Sequence, residues 1–219
     1  MKLHILSFIL DSRCVPPEQY SEYNVQLLDA SSYLTDFMVR ALNPEMDFDC
    51  KRINFVCTTQ KPHEGIRKTG SVQEMEVPIE LSYFSLSPSE QEQYLLKLLA
   101  HSLEKLCKLK KWDITPFQKH FTALQNQGSQ IEFYMDKMRC KNGKITAKIF
   151  CIHTMFAANF FVDFCNQTEV LQRKPLLVAP PHILDYAIYF DKLKWTDERT
   201  VTLYPKRSWH SPIQVTMDI

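Results

Sequence analysis

The pattern of apolar and polar side chains from Gln130 to Cys165, alternating near the Asn142-Gly143 turn and apolar on both sides in its last third, predicts three consecutive antiparallel strands. Asn142-Gly143 lies within this stretch as a strong hairpin signal, because a two-residue type I′ turn needs positive φ at both central positions. A turn there sets Lys141 opposite Lys144, Cys140 opposite Ile145, Met138 opposite Ala147, Asp136 opposite Ile149, Tyr134 opposite Cys151 and Glu132 opposite His153. Cys140, Met138, Ile145, Ala147, Ile149 and Cys151 then share a core face, with Arg139, Lys137, Lys144, Thr146 and Lys148 on a wet one. Farther from the turn the wet face becomes apolar, carrying Ile131, Phe133, Met135, Phe150 and Ile152. The third strand is apolar on both sides, with Phe156, Ala158, Phe160, Val162 and Phe164 on one and Met155, Ala157, Phe161 and Cys165 on the other. That suits an interior strand, and the surplus apolar face must be covered by this chain or by a partner.

The rest of the chain reads as elements added to this meander. Lys2 to Leu10 predicts a strand apolar on both faces, and a helix follows between Glu18 and Leu42, stopped by Asn43-Pro44. Lys51 to Thr59 and Thr69 to Leu81 predict strands flanking a polar loop, Lys61 to Lys68. Ser87-Pro88-Ser89-Glu90 is a capping box opening a helix, and Thr115-Pro116-Phe117-Gln118 repeats the signal for a shorter helix that Gly128 closes. Trp112-Asp113-Ile114 joins the two as a helical hairpin. Val170 to Val178 predicts a strand broken by Pro180-Pro181, Ile183 to Lys192 alternates again, and Arg199 to Tyr204 returns as its hairpin partner. Ile213, Val215, Met217 and Ile219 alternate with polar residues as a half-exposed strand. The expectation is a single α+β domain over residues 1–219: a mainly antiparallel sheet of about nine strands, with one N-terminal helix and a central helical hairpin packed on it.

Composition narrows the function. Hydrophobic residues make up 45% and aromatic residues 12% of 219 positions, as in a folded chain with a sizeable core. A net charge of +1 argues against nucleic acid or an anionic membrane as the partner. Residues 1–50, however, hold three cations (Lys2, Arg13, Arg40) against eight acids, while the remainder holds 23 against 17. Four glycines, none in a phosphate-cradling arrangement, argue against the usual nucleotide enzymes and leave no cofactor implied. Seven cysteines without a CxxC pair read as small buried hydrophobes in a reducing compartment. The apolar run of Met1 to Leu10 is broken by His4 and Ser7 and lacks a small-residue cleavage site, so it reads as a buried strand rather than a signal peptide. With no apolar run near the ~18 residues of a membrane helix, the expected location is the cytoplasm.

Candidate chemistry is sparse. Cys151 and His153 share a face, and the register sets Glu132 opposite His153, but zinc would need further converging ligands. A structural Glu132–His153 hydrogen bond is the simpler use, and a cysteine- or metal-dependent enzyme centred on Cys151 and His153 is the alternative. Lys105, Lys108, Lys110, Lys111 and Trp112 cluster at a helix C-terminus, where cations are favoured without a ligand. On a continuous helix Glu18, Glu22, Asp29 and Asp36 form one acidic stripe, either a solvated face or a docking surface for a basic partner. With Phe133 and Phe150 of the surplus apolar face, these are the candidate partner-binding residues.

Trp112-Asp113-Ile114-Thr115-Pro116-Phe117, followed by Cys140-Lys141-Asn142-Gly143-Lys144, Ala147 and Cys151-Ile152-His153-Thr154-Met155, resembles the small immunity proteins of bacterial polymorphic-toxin and contact-dependent inhibition systems. The likeness covers roughly a third of the chain. It implies a non-catalytic cytoplasmic protein that neutralises a cognate toxin, such as a basic nuclease, by occluding it, and it supplies no catalytic residues. Immunity proteins against basic nucleases are often acidic throughout, whereas this chain is acidic only over residues 1–50.

Overall fold

The computed structural model describes residues 1–167 and 169–218, and for 136–138 the backbone alone. The chain divides into two compact units, Met1–Ser129 and Gln130–Ile219. Among the described residues no helix is long and apolar enough to cross a membrane.

The first unit opens with β1 (Ile5–Leu10), crosses through α1 (Pro17–Leu42) to β2 (Arg52–Thr58), and continues as the hairpin β3 (Ile66–Thr69) and β4 (Val72–Pro78). The sheet order is β1-β2-β4-β3, with β1, β2 and β4 parallel and β3 antiparallel on the edge. The parallel pairs of β1, β2 and β4 depart from the mainly antiparallel expectation, which the other described strand pairs keep, and β3 takes up the end of the loop expected over Lys61 to Lys68. The near-continuous apolar runs of β1 and β2 are the mark of parallel strands buried on both faces, and a 26-residue helix supplies the crossover such strands need. Leu27, Leu34 and Met38 of α1 are fully buried, and Phe8 of β1 meets Phe55 of β2 at 5.1 Å. Two α1-side asparagines tie down the outer edge of the N-terminal segment: Asn24 accepts from the Leu10 amide, and Asn43 both accepts from the Leu3 amide and donates to its carbonyl.

The helical hairpin is α2 (Pro88–Lys110) and α3 (Thr115–Gln127). The expected capping box is present: the Glu90 carboxylate accepts from the Ser87 amide at 2.9 Å. Lys111 ends α2 in the left-handed region at φ 55°, and the Trp112 amide closes back onto the Cys107 carbonyl. At α3 the signal is displaced, for Asp113 rather than Thr115 caps, accepting from the Thr115 amide at 2.9 Å.

The second unit contains the meander β5 (Gln130–Asn142), β6 (Ile145–Thr154), β7 (Ala158–Asn166) and β8 (Glu169–Ala179), in that spatial order. As its sequence suggests, β7 is interior. Then come α4 (Ile183–Tyr186), a 3-10 turn over Ala187–Tyr189, and a second sheet of β9 (Lys192–Trp195), β10 (Thr200–Tyr204) and β11 (Ile213–Thr216), ordered β11-β10-β9. The alternation over Ile183 to Lys192 is therefore helical for its first half, and β10 pairs with β9 and β11 instead. Tyr186 and Phe190, four residues apart, both pack on Phe160, so one helical face serves where a strand face was expected. The core lies between the sheets: Ala147, Ile149, Cys151, Phe160, Val162 and Phe164 on one side, Leu193, Val201, Leu203 and Val215 on the other. The expected place of Ile219 in the last strand lies outside the described residues.

The meander departs from the expected register twice. Asn142 pairs with Ile145, so the two-residue loop is Gly143-Lys144. Gly143 has φ 57°, while the non-glycine positions with positive φ among the described residues are Lys111 and Gln167, which gives the Gly-X pattern of a type II′ turn. Between the pairs Tyr134–Phe150 and Arg139–Lys148, β5 then advances five residues while β6 advances two. The excess is odd, so the faces of β5 exchange across the irregularity. Phe133 now stands opposite Cys151 and Ile131 opposite His153, while Glu132 faces Ile152. Ile131 is buried, and Phe133 and Met135 pack on the core rather than on the surplus face. The expected positions of the Asp136, Lys137 and Met138 side chains lie outside the described residues.

Because Gly143 alone carries positive φ in the turn, Gly143→Ala is expected to destabilise the protein by about 1–2 kcal/mol in urea denaturation. Asn142→Ala should cost less than half of that. Equal losses at the two positions would restore the type I′ turn.

Candidate interaction surface

The pair that might have formed a reactive centre is sealed. Cys151 and His153 are both fully buried on the inner face of β6, and His153 Nε2 donates to the Pro181 carbonyl at 2.7 Å. The expected Glu132–His153 bond is thus replaced by a tie that holds the connection from β8 to α4. Elsewhere, burial pushes the thiols of Cys107 and Cys140 up to about 11 and that of Cys165 upward, which leaves little thiolate at neutral pH.

The outer face of the meander is covered by its own long side chains. Asp163, on β7, is fully buried and accepts two hydrogen bonds from Arg173 on β8, at 2.7 and 2.8 Å, and one from the Tyr134 hydroxyl at 2.6 Å. The Arg173 guanidinium lies 3.6 Å from the centre of the Phe150 ring, and Lys148 sits over Tyr134. Bonding to Asp163 raises Arg173 above its ordinary value, and burial together with the Asp163 carboxylate pushes the Tyr134 phenol up to about 12. Phe150 is consequently buried, and with Phe133 turned inward neither offers the open apolar surface expected of it.

The acidic excess of residues 1–50 is largely spent on contacts within the first unit. Asp11 pairs with Arg13, Asp36 with Arg40, Glu45 with Lys119 and His120, Asp47 with the N-terminus and Lys2, and Asp49 with Lys110. Asp36 is buried and Asp29 half-buried, so the stripe of α1 is exposed only over its first turns, at Glu18 and Glu22. Two members of the basic cluster are engaged likewise, Lys110 over the Trp112 ring and Lys105 donating to the Glu76 carbonyl, while Lys108 and Lys111 are exposed. At the carboxyl ends of the parallel strands, where open α/β sheets hold ligands, Asp11, Arg13, Arg67 and Glu76 form an ion-pair network.

The least satisfied surface was not singled out by the sequence. Of seven large apolar side chains that the second unit leaves exposed among the described residues, four lie at one end: Phe156 (69%), Val178 (69%), Leu184 (53%) and Trp209 (72%). Three connections meet there. The β6–β7 turn adjoins the last residue of β8 through the Ala158–Ala179 pair. The segment after α4 holds the β10–β11 loop through a hydrogen bond from the Lys206 amide to the Ile188 carbonyl and a Tyr189–His210 ring contact at 4.8 Å. The available signal was a tryptophan in a basic loop bounded by Pro205 and Pro212.

Two stability measurements check these networks. Removing the guanidinium from buried Asp163, as in Arg173→Met, is expected to cost about 3 kcal/mol in urea, whereas Lys148→Met should stay within about 0.5 kcal/mol. The hydrogen bond from Arg13 holds the Asp11 carboxyl below its ordinary value of 3.8. Such a group contributes stability that is full above the unfolded pKa and lost as pH falls through the folded one. Asp11→Asn should therefore be less stable than the parent at pH 7, with the difference closing below about pH 4. A pH-independent difference would show that the charge is not what matters.

Compared with protein-family models, curated proteins and solved structures, the chain matches none of them.

Proposed function

We propose that the protein is a non-catalytic binding protein, an immunity protein that neutralises a cognate bacterial toxin in the cytoplasm by covering it. The likeness of the Trp112–Phe117 joint and the hairpin meander to such proteins supports the toxin as partner. The observation that carries the docking surface is the exposure of Glu18 and Glu22 on the first turns of α1, while five other acids of the same region are held in ion pairs. Exposed acids at a helix N-terminus steer a basic partner over a Debye length of ~8 Å at physiological salt. Asp36, buried and paired with Arg40, and Asp29, half-buried, are less exposed than Glu18 and Glu22.

The test is association with any toxin-like product that proves to be encoded beside its gene. Bacteria making both proteins should grow, and Glu18→Lys/Glu22→Lys should slow association roughly tenfold at low salt and flatten its salt dependence. Unchanged association would remove α1 from the interface, and absence of protection with absence of a complex would overturn the toxin reading.

A further inference from the structure

The side chains that close the apolar outer face of the meander are themselves charged, and strand pairing sets them in one row. Arg139 on β5 stands opposite Lys148 on β6, Lys148 opposite Asp163 on β7, and Asp163 opposite Arg173 on β8. Asp163 is the one acid of that row, fully buried, and its carboxylate is taken up by Arg173 and Tyr134. Arg139 and Lys148 are left facing each other as like charges, an arrangement that costs a sheet stability. Lys141, two residues along β5, is exposed on the same side, opposite Thr146. β9 runs beside β5, with the Trp195 amide against the Cys140 sulfur and the Asn142 side chain donating to the Glu198 carbonyl. Trp195 packs inward on Phe164, so Lys194 turns outward next to the row, over the Tyr204 ring. Among the described residues no acid forms an ion pair with Arg139, Lys141, Lys148 or Lys194.

We propose that this row is a track for single-stranded nucleic acid, held through its phosphates without regard to sequence and independently of any toxin partner. The chain's net charge of +1 averages over the row, whereas a ligand meets the four unpaired cations themselves. Neighbouring strands lie about 4.8 Å apart, so the cations of β9, β5 and β6 fall within about 10 Å of one another across the sheet. A polyanion laid across these strands relieves the repulsion between Arg139 and Lys148, which the fold by itself leaves standing. The cations form a line rather than a broad patch. A line suits a chain that carries a phosphate on every residue, while an anionic membrane is planar and is gripped by wide basic faces with apolar side chains inserted beside them. Here Phe150 is buried under Arg173 and has nothing to insert. Tyr134, 37% exposed next to Lys148, gives a base an aromatic ring to rest against.

Fluorescence anisotropy of the full chain with a labelled oligouridylate of about 20 nucleotides tests this. The expected result is binding at about 50 mM salt, with log K falling against log salt at a slope of about −3, as four phosphate contacts to a single strand require. Arg139→Gln/Lys148→Gln should weaken binding at least tenfold and bring the slope to about half, with unchanged circular dichroism. Lys108→Gln/Lys111→Gln, at the exposed end of α2, removes the same charge and should leave affinity and slope as they were. No binding at about 50 mM salt would overturn the proposal. So would equal losses from the two pairs of substitutions, which would trace binding to net charge alone. Binding to vesicles of equal phosphatidylglycerol and phosphatidylcholine, lost in Arg139→Gln/Lys148→Gln while the oligouridylate stays free, would assign the row to lipid and overturn it as well.

Discussion

Between Tyr134 and Arg139, β5 takes five residues where β6 takes two, and side-chain alternation makes the parity of that excess decisive. With an odd excess, Ile131, Phe133 and Met135 point into the sandwich and join the layer built on Ala147, Ile149 and Cys151. With an excess of two they would stand outside, and His153 would face Glu132. In this register Ile131, not Glu132, stands opposite the buried His153, whose ring bonds to Pro181 ahead of α4.

The same exchange leaves the outer face short of apolar side chains and gives it a charged solution. Asp163 can lie fully buried in a strand only because Arg173 and Tyr134 reach it, and Arg173 in turn covers Phe150. The face that looked like a docking surface is thereby closed from within the chain. A parallel economy holds in the first unit, where cations from α2 and α3 meet the acids near the N-terminus at Lys110–Asp49 and Lys119–Glu45. Uneven charge along the sequence becomes local neutrality in space, which is why net charge by segment overstated the acidic surface.

Elements whose cues are local were legible: the capping box at Ser87 and Glu90, the positive-φ demand at Gly143, and the interior character of β7 from its two apolar sides. What required tertiary information was not. Nothing in the residues 130–142 marks the irregularity, because a shift of parity exchanges one set of apolar side chains for another. The parallel pairing of Ile5–Leu10 with Arg52–Thr58 was not legible, because a hydrophobic run alone does not name its neighbour. The stretch after Pro181 is short enough for strand and helix periods to coincide, and packing on Phe160 decides between them. Of the candidate partner-binding residues, Glu18 and Glu22 keep the exposure the helical stripe implied, while Phe133 and Phe150 lost theirs to the register and to Arg173. Trp209 and its loop carried no periodicity at all, so a pattern-based reading passed over them.

The register of β5 against β6 is the point on which the other features rest, and cross-strand nuclear Overhauser effects in isotope-labelled protein read it directly. The expected contacts join Phe133 to Cys151 and Ile131 to His153. Contacts joining Tyr134 to Cys151 and Glu132 to His153 would contradict it, turning the apolar side chains of β5 outward and reopening the face that Arg173 closes.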